Sequence, residues 1–462
     1  MIPSSAADLR PAGAASGGTR PVGIAARLFR LLDEAGIGYC LVGDIEGLPD
    51  HIGSDLDIVV DRDRVTEMPG LVARFAAAEG GRLVQLLQHE PTGWYFVIAG
   101  FDAGGRPWML HPDLCTDYYR HGRRFLDNAT LLRGRRPAVA PGGTARGFPV
   151  AAPAVEFAYY LIKKIDKRAL SAEHAAHLSR IWRQDPAGAA AAIAPTFKEF
   201  EARLIAGAAE SGDWSAVIAE MPRLRKALFR AGDSGAGARF RDLRRVAGRL
   251  FYRTGLTVTV LGPDGSGKSS VIGRLTAHLA PAFRHTRVLH LRPRLGEREK
   301  SAPPVSDPHR LPPRGRLHSM AKLLYYLADH AAGHWLVVRP ALVRSTLVVF
   351  DRYFHDLLVD PRRYRYGAGK TLAGLAARFV PRPDLWLILD APAEVTLRRK
   401  GELGAAEAAR QRAAYLAFAR HLPNAHVIDA SRPLNEVVAE AERIVLDHLA
   451  RRTAQRLRLA KS

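Results

Sequence analysis

Eight consecutive residues, Gly262-Pro263-Asp264-Gly265-Ser266-Gly267-Lys268-Ser269, satisfy the spacing G-x-x-x-x-G-K-[ST] without a mismatch. Glycines at these positions let successive backbone N–H groups turn inward onto phosphate oxygens, at a helix N-terminus whose dipole already favours anions. Lys268 supplies a point charge for β- and γ-phosphates, the Ser269 hydroxyl is a candidate Mg²⁺ ligand, and Ser270 completes the binding run. A chance Gly-rich turn is the bland alternative. It is opposed by context, because an apolar strand (257–261) precedes the loop and a helical stretch (270–279) follows it. Two further groups could do chemistry. Asp351-Arg352-Tyr353 ends an apolar strand, where a surface ion pair is the plain reading. Asp55 and Asp57 stand two residues apart in Gly53-Ser54-Asp55-Leu56-Asp57, so strand alternation puts both carboxylates on one face, able to hold Mg²⁺ against phosphates.

The elements that must position these groups form three blocks. Residues 21–134 read as α+β, with a helix over 24–35 and strands at 38–42 and 57–60. Strand-like runs at 94–99 and 107–110 flank a Gly-rich turn, as in a β-hairpin. A Pro/Gly-rich linker (135–150) leads to a helical domain (151–230) rich in Ala, Leu, Ile, Glu and Arg. After a Gly-rich break and a short helix (231–250), residues 251–450 alternate strands (257–261, 287–291, 346–350, 385–389, 426–428) with helices. That alternation predicts an α/β fold with a doubly wound parallel sheet. Residues 1–20 read as a disordered lead-in without the apolar core of a signal peptide, and 451–462 as a basic, frayed tail. There is no internal repeat.

The 462 residues are 47% hydrophobic and 25% charged, enough for two or three cores. The net charge of +22 suits a partner that is a polyanion, but Arg-rich solvated helices would give the same figure, so charge alone selects nothing. Cys40 and Cys115, without C-x-x-C spacing, argue against a zinc site or disulfide framework and for a reducing compartment. No apolar run approaches the ~18 residues of a membrane span, so a cytoplasmic protein is expected. The histidines show no metal-ligand spacing, His355 reads equally as a packing or a catalytic residue, and Tyr159-Tyr160 and Tyr325-Tyr326 read as helix core.

Four ordered motifs carry a resemblance. Asp264-Gly265 in the loop, Asp351-Arg352-Tyr353, Pro383-Asp384-Leu385 leading to Leu389-Asp390-Ala391-Pro392-Ala393-Glu394, and Val427-Ile428-Asp429-Ala430 resemble the thymidylate kinase branch of the nucleoside monophosphate kinases. The resemblance covers roughly 257–450 and extends to thymidylate-kinase-like proteins of bacterial polysaccharide gene clusters. It implies a P-loop kinase that uses ATP and Mg²⁺ and phosphorylates a small-molecule acceptor. Asp351 would lie near the metal and the accepting phosphate, and Arg352 would clamp that phosphate. Arg398, Arg399 and Lys400, with Arg410 and Arg412, would form a mobile lid, and Asp429 would lie where the adenine is met. Departures fall on the acceptor side. The family's Arg-Glu-Pro-Gly stretch is replaced by Leu291-Arg292-Pro293-Arg294-Leu295-Gly296, a Pro-rich segment (302–315) follows, and the Tyr-Gln pair that reads thymine is absent. Arg292, Arg294, Arg362, Arg363 and Arg365 are candidates for an enlarged anionic acceptor site.

In the N-terminal block, Leu41-Val42-Gly43-Asp44 together with Asp55 and Asp57 resembles the nucleotidyltransferase superfamily. That likeness implies a third metal-binding carboxylate, for which Asp113 is best placed, and a helical appendage. Asp44 departs from the small residue expected there. Three readings stay open. They are a kinase acting on a nucleotide or other phosphorylated or sugar-like acceptor, a metal-dependent nucleotidyltransferase whose kinase fold binds nucleotide, and a non-catalytic binding or assembly protein. Lys268 and Asp351 together argue against the last, and with it against a nucleic-acid partner. The oligomeric state stays open, a homodimer included.

Overall fold

The computed structural model describes residues 19–457 apart from 44, 46, 49–51, 53–54, 121, 140–142, 144, 233–242, 245–246, 249, 252, 294–311 and 400–404. The expectations placed on Asp44, Gly53, Ser54, Arg294, Lys400, the 1–18 lead-in and most of the 231–250 and 302–315 segments lie outside the described residues. The chain divides into two compact units. One comprises Ala15–Asp102, Trp108–Gly248 and Ala450–Ser462, the other Met1–Ala14, Ala103–Pro107 and Arg249–Leu449.

The N-terminal unit opens with α1 (Thr19–Glu34), whose Ile24, Ala25, Leu28, Phe29 and Leu32 recur at helical spacing and are all buried. There follow β1 (Tyr39–Leu41), β2 (Leu56–Val60), α2 (Met68–Ala78), β3 (Gly81–Glu90), β4 (Gly93–Phe101), β5 (Pro107–Leu110) and β6 (Pro112–Cys115). The ribbon β7 (Tyr118–Arg120)–β8 (Arg123–Leu126), α3 (Asn128–Leu132), β9 (Arg136–Val139) and β10 (Ala145–Val150) complete it. The main sheet has eight strands in the order β3-β4-β6-β2-β1-β10-β9, with β5 paired to β4 as the expected hairpin.

Two boundaries differ from the sequence reading. Residues 135–150 are no linker, because β10 pairs in parallel with β1 and antiparallel with β9. Nor do the helices α4 (Pro153–Lys167), α5 (Ala172–Trp182), α6 (Pro186–Ile193), α7 (Glu199–Ser211), α8 (Ser215–Ala219) and α9 (Met221–Ala231) stand apart. Their apolar faces share one core with Cys40, Val42, Val59 and Tyr118 of the sheet region. The C-terminal tail is helical to Arg456 rather than frayed. Within this unit, Thr453 Oγ1 donates to the Val84 carbonyl at 2.8 Å, and Leu457 packs on the core.

The C-terminal unit runs β11 (Leu256–Leu261), α10 (Lys268–Leu279), β12 (His285–His290), α11 (Arg316–Gly333), α12 (Arg339–Val343), β13 (Thr346–Asp351), α13 (Asp356–Val359) and α14 (Lys370–Ala377). It continues through β14 (Leu385–Asp390), α15 (Ala393–Arg399), α16 (Ala405–Ala419), β15 (Ala425–Asp429) and α17 (Leu434–Arg456), which belongs to it as far as Leu449. Five strands, in the order β12-β13-β11-β14-β15, pair in parallel throughout. The inner strands β11, β13 and β14 are almost wholly buried, which is why they read as continuous apolar runs. No described helix is long and apolar enough to cross a membrane.

Candidate functional site

β11 lies between β13 and β14; the chain crosses from β11 to the β12 side of the sheet and later, from β13, to the β14 side. In an open parallel sheet, the crevice for a ligand forms beyond the strand ends at such a reversal. The Gly262–Ser269 loop sits there, between β11 and α10. Two of its glycines are required by close approach. A Cβ at Gly262 (φ +149°) would lie 2.6 Å from the Leu389 carbonyl oxygen, and one at Gly265 (φ +81°) would lie 2.6 Å from that of Thr396. Gly267 also has positive φ, +87°, immediately before the helix.

Lys268 is buried, with Nζ donating to the carbonyls of Pro263 (2.7 Å) and Gly262 (3.0 Å) and standing 3.9 Å from Asp264 Oδ1. Burial above all, then the charge of Arg352, pushes its ammonium down to about 7, against the pull of Asp264, Asp351 and Asp356. Ser269 and Ser270 are exposed in the first turn of α10, and the buried Ser266 hydroxyl lacks a hydrogen-bond partner.

At the end of β13, Asp351 is the register partner of both Val260 and His290. Its Oδ2 lies 3.2 Å from His290 Nδ1, whereas its buried Oδ1 has no hydrogen-bond partner. Burial pushes its carboxyl up, but His290, Lys268 and Arg352 together hold it below its ordinary value. Arg352, at φ +67° and 3% exposed, donates from Nη1 to Asp356 Oδ2 (2.6 Å) and Tyr415 Oη (3.1 Å) and from Nη2 to Asp264 Oδ1 (2.5 Å). Arg363 donates to the other Asp264 oxygen. Burial would raise Asp264, yet Arg352, Arg363 and Lys268 hold it well below the usual carboxylate range. Asp356, fully buried, also accepts from Tyr364 (2.7 Å) and Tyr415 (2.5 Å).

The structure sorts the predicted lid. Arg399 comes close to the phosphate loop. Its Nη1 donates to the Ala430 carbonyl at 3.0 Å and lies 4.0 Å from where a Cβ of Gly267 would be. Arg398 turns back on its own helix, toward the Glu394 carbonyl at 3.4 Å. Arg410 pairs with Glu407, and Arg412 forms a two-point pair with Asp390. Asp429 is exposed and accepts from the Ser431 backbone N–H at 2.9 Å, fixing the turn after β15. Of the residues expected at an acceptor site, Arg292 pairs with Asp329 (3.2 Å) and lies 5.0 Å from the ring centroids of both Tyr325 and Tyr326. Tyr325 is therefore no core residue; it is 54% exposed. Arg365 donates to the Pro312 carbonyl (3.0 Å), and Arg362 is exposed. His355 is a packing residue, buried among Tyr353, Trp386 and Phe418, and burial lowers it to about 4. Sequence reasoning missed His290 and the buried Asp356–Tyr364–Tyr415 set. Their only signal is an Asp four residues after Arg352.

The three candidate carboxylates of the N-terminal unit, Asp55, Asp57 and Asp113, lie on and beside β2 and β6. Asp57 and Asp113 are direct register partners on β2 and β6. Tyr95 donates to Asp55 at 2.8 Å, His89 Nε2 lies 3.4 Å from Asp113, and Lys163 of α4 forms an ion pair with Asp57. Burial would lower the Lys163 ammonium, but Asp57 outweighs it and raises it. Among the described residues no group of three or more His, Cys, Asp or Glu could hold a metal ion. Asp55, Asp57 and Asp113 do not make such a group, and the Lys163 ammonium answers the Asp57 charge.

The family described as thymidylate kinase matches residues 260–441. The thymidylate kinase of Xanthomonas campestris pv. campestris (strain B100) is 32% identical over 208 residues, covering 43% of this chain and 86% of the relative. That of Leifsonia xyli subsp. xyli is 35% identical over 211 residues, covering 41% and 93%. A crystal structure of thymidylate kinase from Ehrlichia chaffeensis aligns at 18% identity and a TM-score of 0.29, over 41% of this chain and 98% of that one.

Proposed function

The chain belongs to the thymidylate kinase family through its C-terminal unit, and on that premise we propose that it transfers the γ-phosphoryl group of ATP to a phosphorylated small-molecule acceptor other than thymidine monophosphate. The observation that carries this reading is a phosphate loop whose Lys268 ammonium is held on the Gly262 and Pro263 carbonyls and feels the charge of Asp351, a carboxylate whose buried Oδ1 has no hydrogen-bond partner. The loop N–H groups and Lys268 bind the β- and γ-phosphates, and phosphate oxygens take over from the carbonyls that now hold the ammonium. An acceptor phosphate oxygen attacks the γ-phosphorus, the bond to the β-bridging oxygen breaks, and ADP and a diphosphate product leave.

The residues fit Mg²⁺. A hard cation in such enzymes takes one or two protein oxygens and completes its shell with phosphates and water. Asp351 Oδ1 and the exposed Ser269 hydroxyl would hold it, and it would neutralise charge on the transferring oxygens. Arg399, with Nη1 near Gly267, would close over the triphosphate. Arg352 and Arg363 stabilise the loop through Asp264 and would meet the acceptor phosphate only by sharing that carboxylate. The acceptor preference rests on the absent thymine-reading pair and on Arg292 fixed between Tyr325 and Tyr326. The test is a screen of the full chain with γ-labelled ATP and Mg²⁺ against nucleoside monophosphates and sugar phosphates. Label passing to one of these, with thymidine monophosphate poor, supports the reading; label passing best to thymidine monophosphate refutes its acceptor half.

A further inference from the structure

We propose that His290 is a positioning residue for the metal site, whose ring fixes the Asp351 carboxylate so that Oδ1 rather than Oδ2 is presented to Mg²⁺. This rests on the kinase reading above and adds a residue to it. His290 and Asp351 end two neighbouring parallel strands, β12 and β13, as direct register partners, so their side chains leave the same face of the sheet. Nδ1 of His290 lies 3.2 Å from Asp351 Oδ2. The group facing it is a carboxylate oxygen, which accepts, so Nδ1 carries the proton and donates. Anchoring one oxygen stops the carboxylate from turning about its Cβ–Cγ bond and fixes the direction of the other. That other oxygen, Oδ1, is buried and has no hydrogen-bond partner among the described residues. A pair built for stability would satisfy both oxygens. A carboxylate held on one side and open on the other is the arrangement in which an outer contact orients a metal ligand.

The backbone around His290 is held as well. The Leu291 N–H donates to the Asp351 carbonyl at 3.0 Å, and the Arg292 N–H returns to the His290 carbonyl at 2.7 Å. The second bond closes a three-residue turn on Leu291, whose φ of +61° is a conformation that a non-glycine residue adopts at a cost. The strain sits on the residue next to His290, at the end of an edge strand. Strain of this kind persists where the surroundings over-determine it, and it collects at functional sites. Register pairing, the Leu291 bond and the ring contact thus join His290 to one residue, Asp351, by three routes.

Electron paramagnetic resonance of Mn²⁺, the probe ion, tests this on the full chain carrying a non-hydrolysable ATP analogue. The variants are His290→Ala, His290→Asn and Asp351→Asn. His290→Ala should weaken Mn²⁺ binding in the ternary complex about tenfold, with affinity for the analogue in EDTA unchanged. Asn places an N–H donor as many bonds from its Cα as His places Nδ1, so His290→Asn should restore most of the loss. The His290 side chain is 55% exposed, so the fold should survive, and His290→Val, which suits a strand, serves if the alanine variant unfolds. Mn²⁺ binding untouched by His290→Ala, no recovery in His290→Asn, or an equal loss of metal-free analogue affinity would overturn the proposal and leave the kinase reading standing. Mn²⁺ binding that Asp351→Asn leaves intact would remove Asp351 from the metal site, and with it both the inference and that part of the reading.

Discussion

Arg352 reaches from the end of β13 into the phosphate loop and donates to Asp264 at 2.5 Å while its other nitrogen holds Asp356 at 2.6 Å. One buried guanidinium thereby ties the loop to the segment that follows β13. Its positive φ, 67°, is a conformation a non-glycine residue adopts at some cost, and the three-way pairing with Asp264, Asp356 and Tyr415 over-determines it.

The buried Asp356 should therefore matter to stability more than its distance from the loop lysine implies. Asp356→Ala leaves Arg352 buried beside a lost carboxylate and strands two tyrosine hydroxyls, and should cost about 3–5 kcal/mol. Urea unfolding of the full chain measures it, and a loss below 1 kcal/mol would mean the network is not formed in solution.

Proton uptake should accompany ATP binding. Lys268 is lowered to about 7, so at pH 8 it is mostly neutral until phosphates restore its charge, and binding should take up close to one proton. Calorimetry of Mg·ATP binding in buffers of different ionisation enthalpy reads this directly, and Lys268→Met should abolish it. The stability sign follows. Between about 7 and 10.5 the unfolded chain binds the extra proton, so Lys268 makes the empty protein more stable as pH rises through that window. Lys268→Met should flatten that slope.

Much of the kinase half is legible in the sequence because its inner strands are buried on both faces and its loop glycines have no substitute at their φ values. The N-terminal half is less so. β3 carries Leu83, Val84, Leu86 and Leu87 in a helix-like rhythm that alternation does not reveal, because a register shift between Leu83 and Gln85 breaks the period of two and residues on both faces are buried. β9 and β10 hide in Pro and Gly, which an edge strand and a bulged pair tolerate. Asp55, Asp57 and Asp113 are legible by spacing and likeness, but Lys163, 106 residues beyond Asp57, reaches it only through the fold.

That ion pair makes its own prediction. Lys163→Met or Asp57→Asn alone leaves an unanswered group, partly screened because both side chains keep about a fifth of their exposure, and should cost about 1–3 kcal/mol. The double variant should recover most of the loss. A double-mutant cycle by thermal unfolding decides, and additive losses would show that the two residues act independently.

Thymidine monophosphate should be a poor acceptor. A site lacking the groups that hydrogen-bond a base can lose several kcal/mol of discrimination, on the order of 10⁴-fold in kcat/KM relative to the preferred acceptor. Steady-state kinetics with thymidine monophosphate and the acceptor found by screening measure the ratio.

The most direct measurement is transfer of label from γ-labelled ATP to the confirmed acceptor by wild-type and Lys268→Ala protein. Circular dichroism confirms that both are folded, a needed control because Lys268 is buried rather than exposed. The account predicts a loss of at least about 10³-fold in the variant. Wild-type turnover by Lys268→Ala would contradict it.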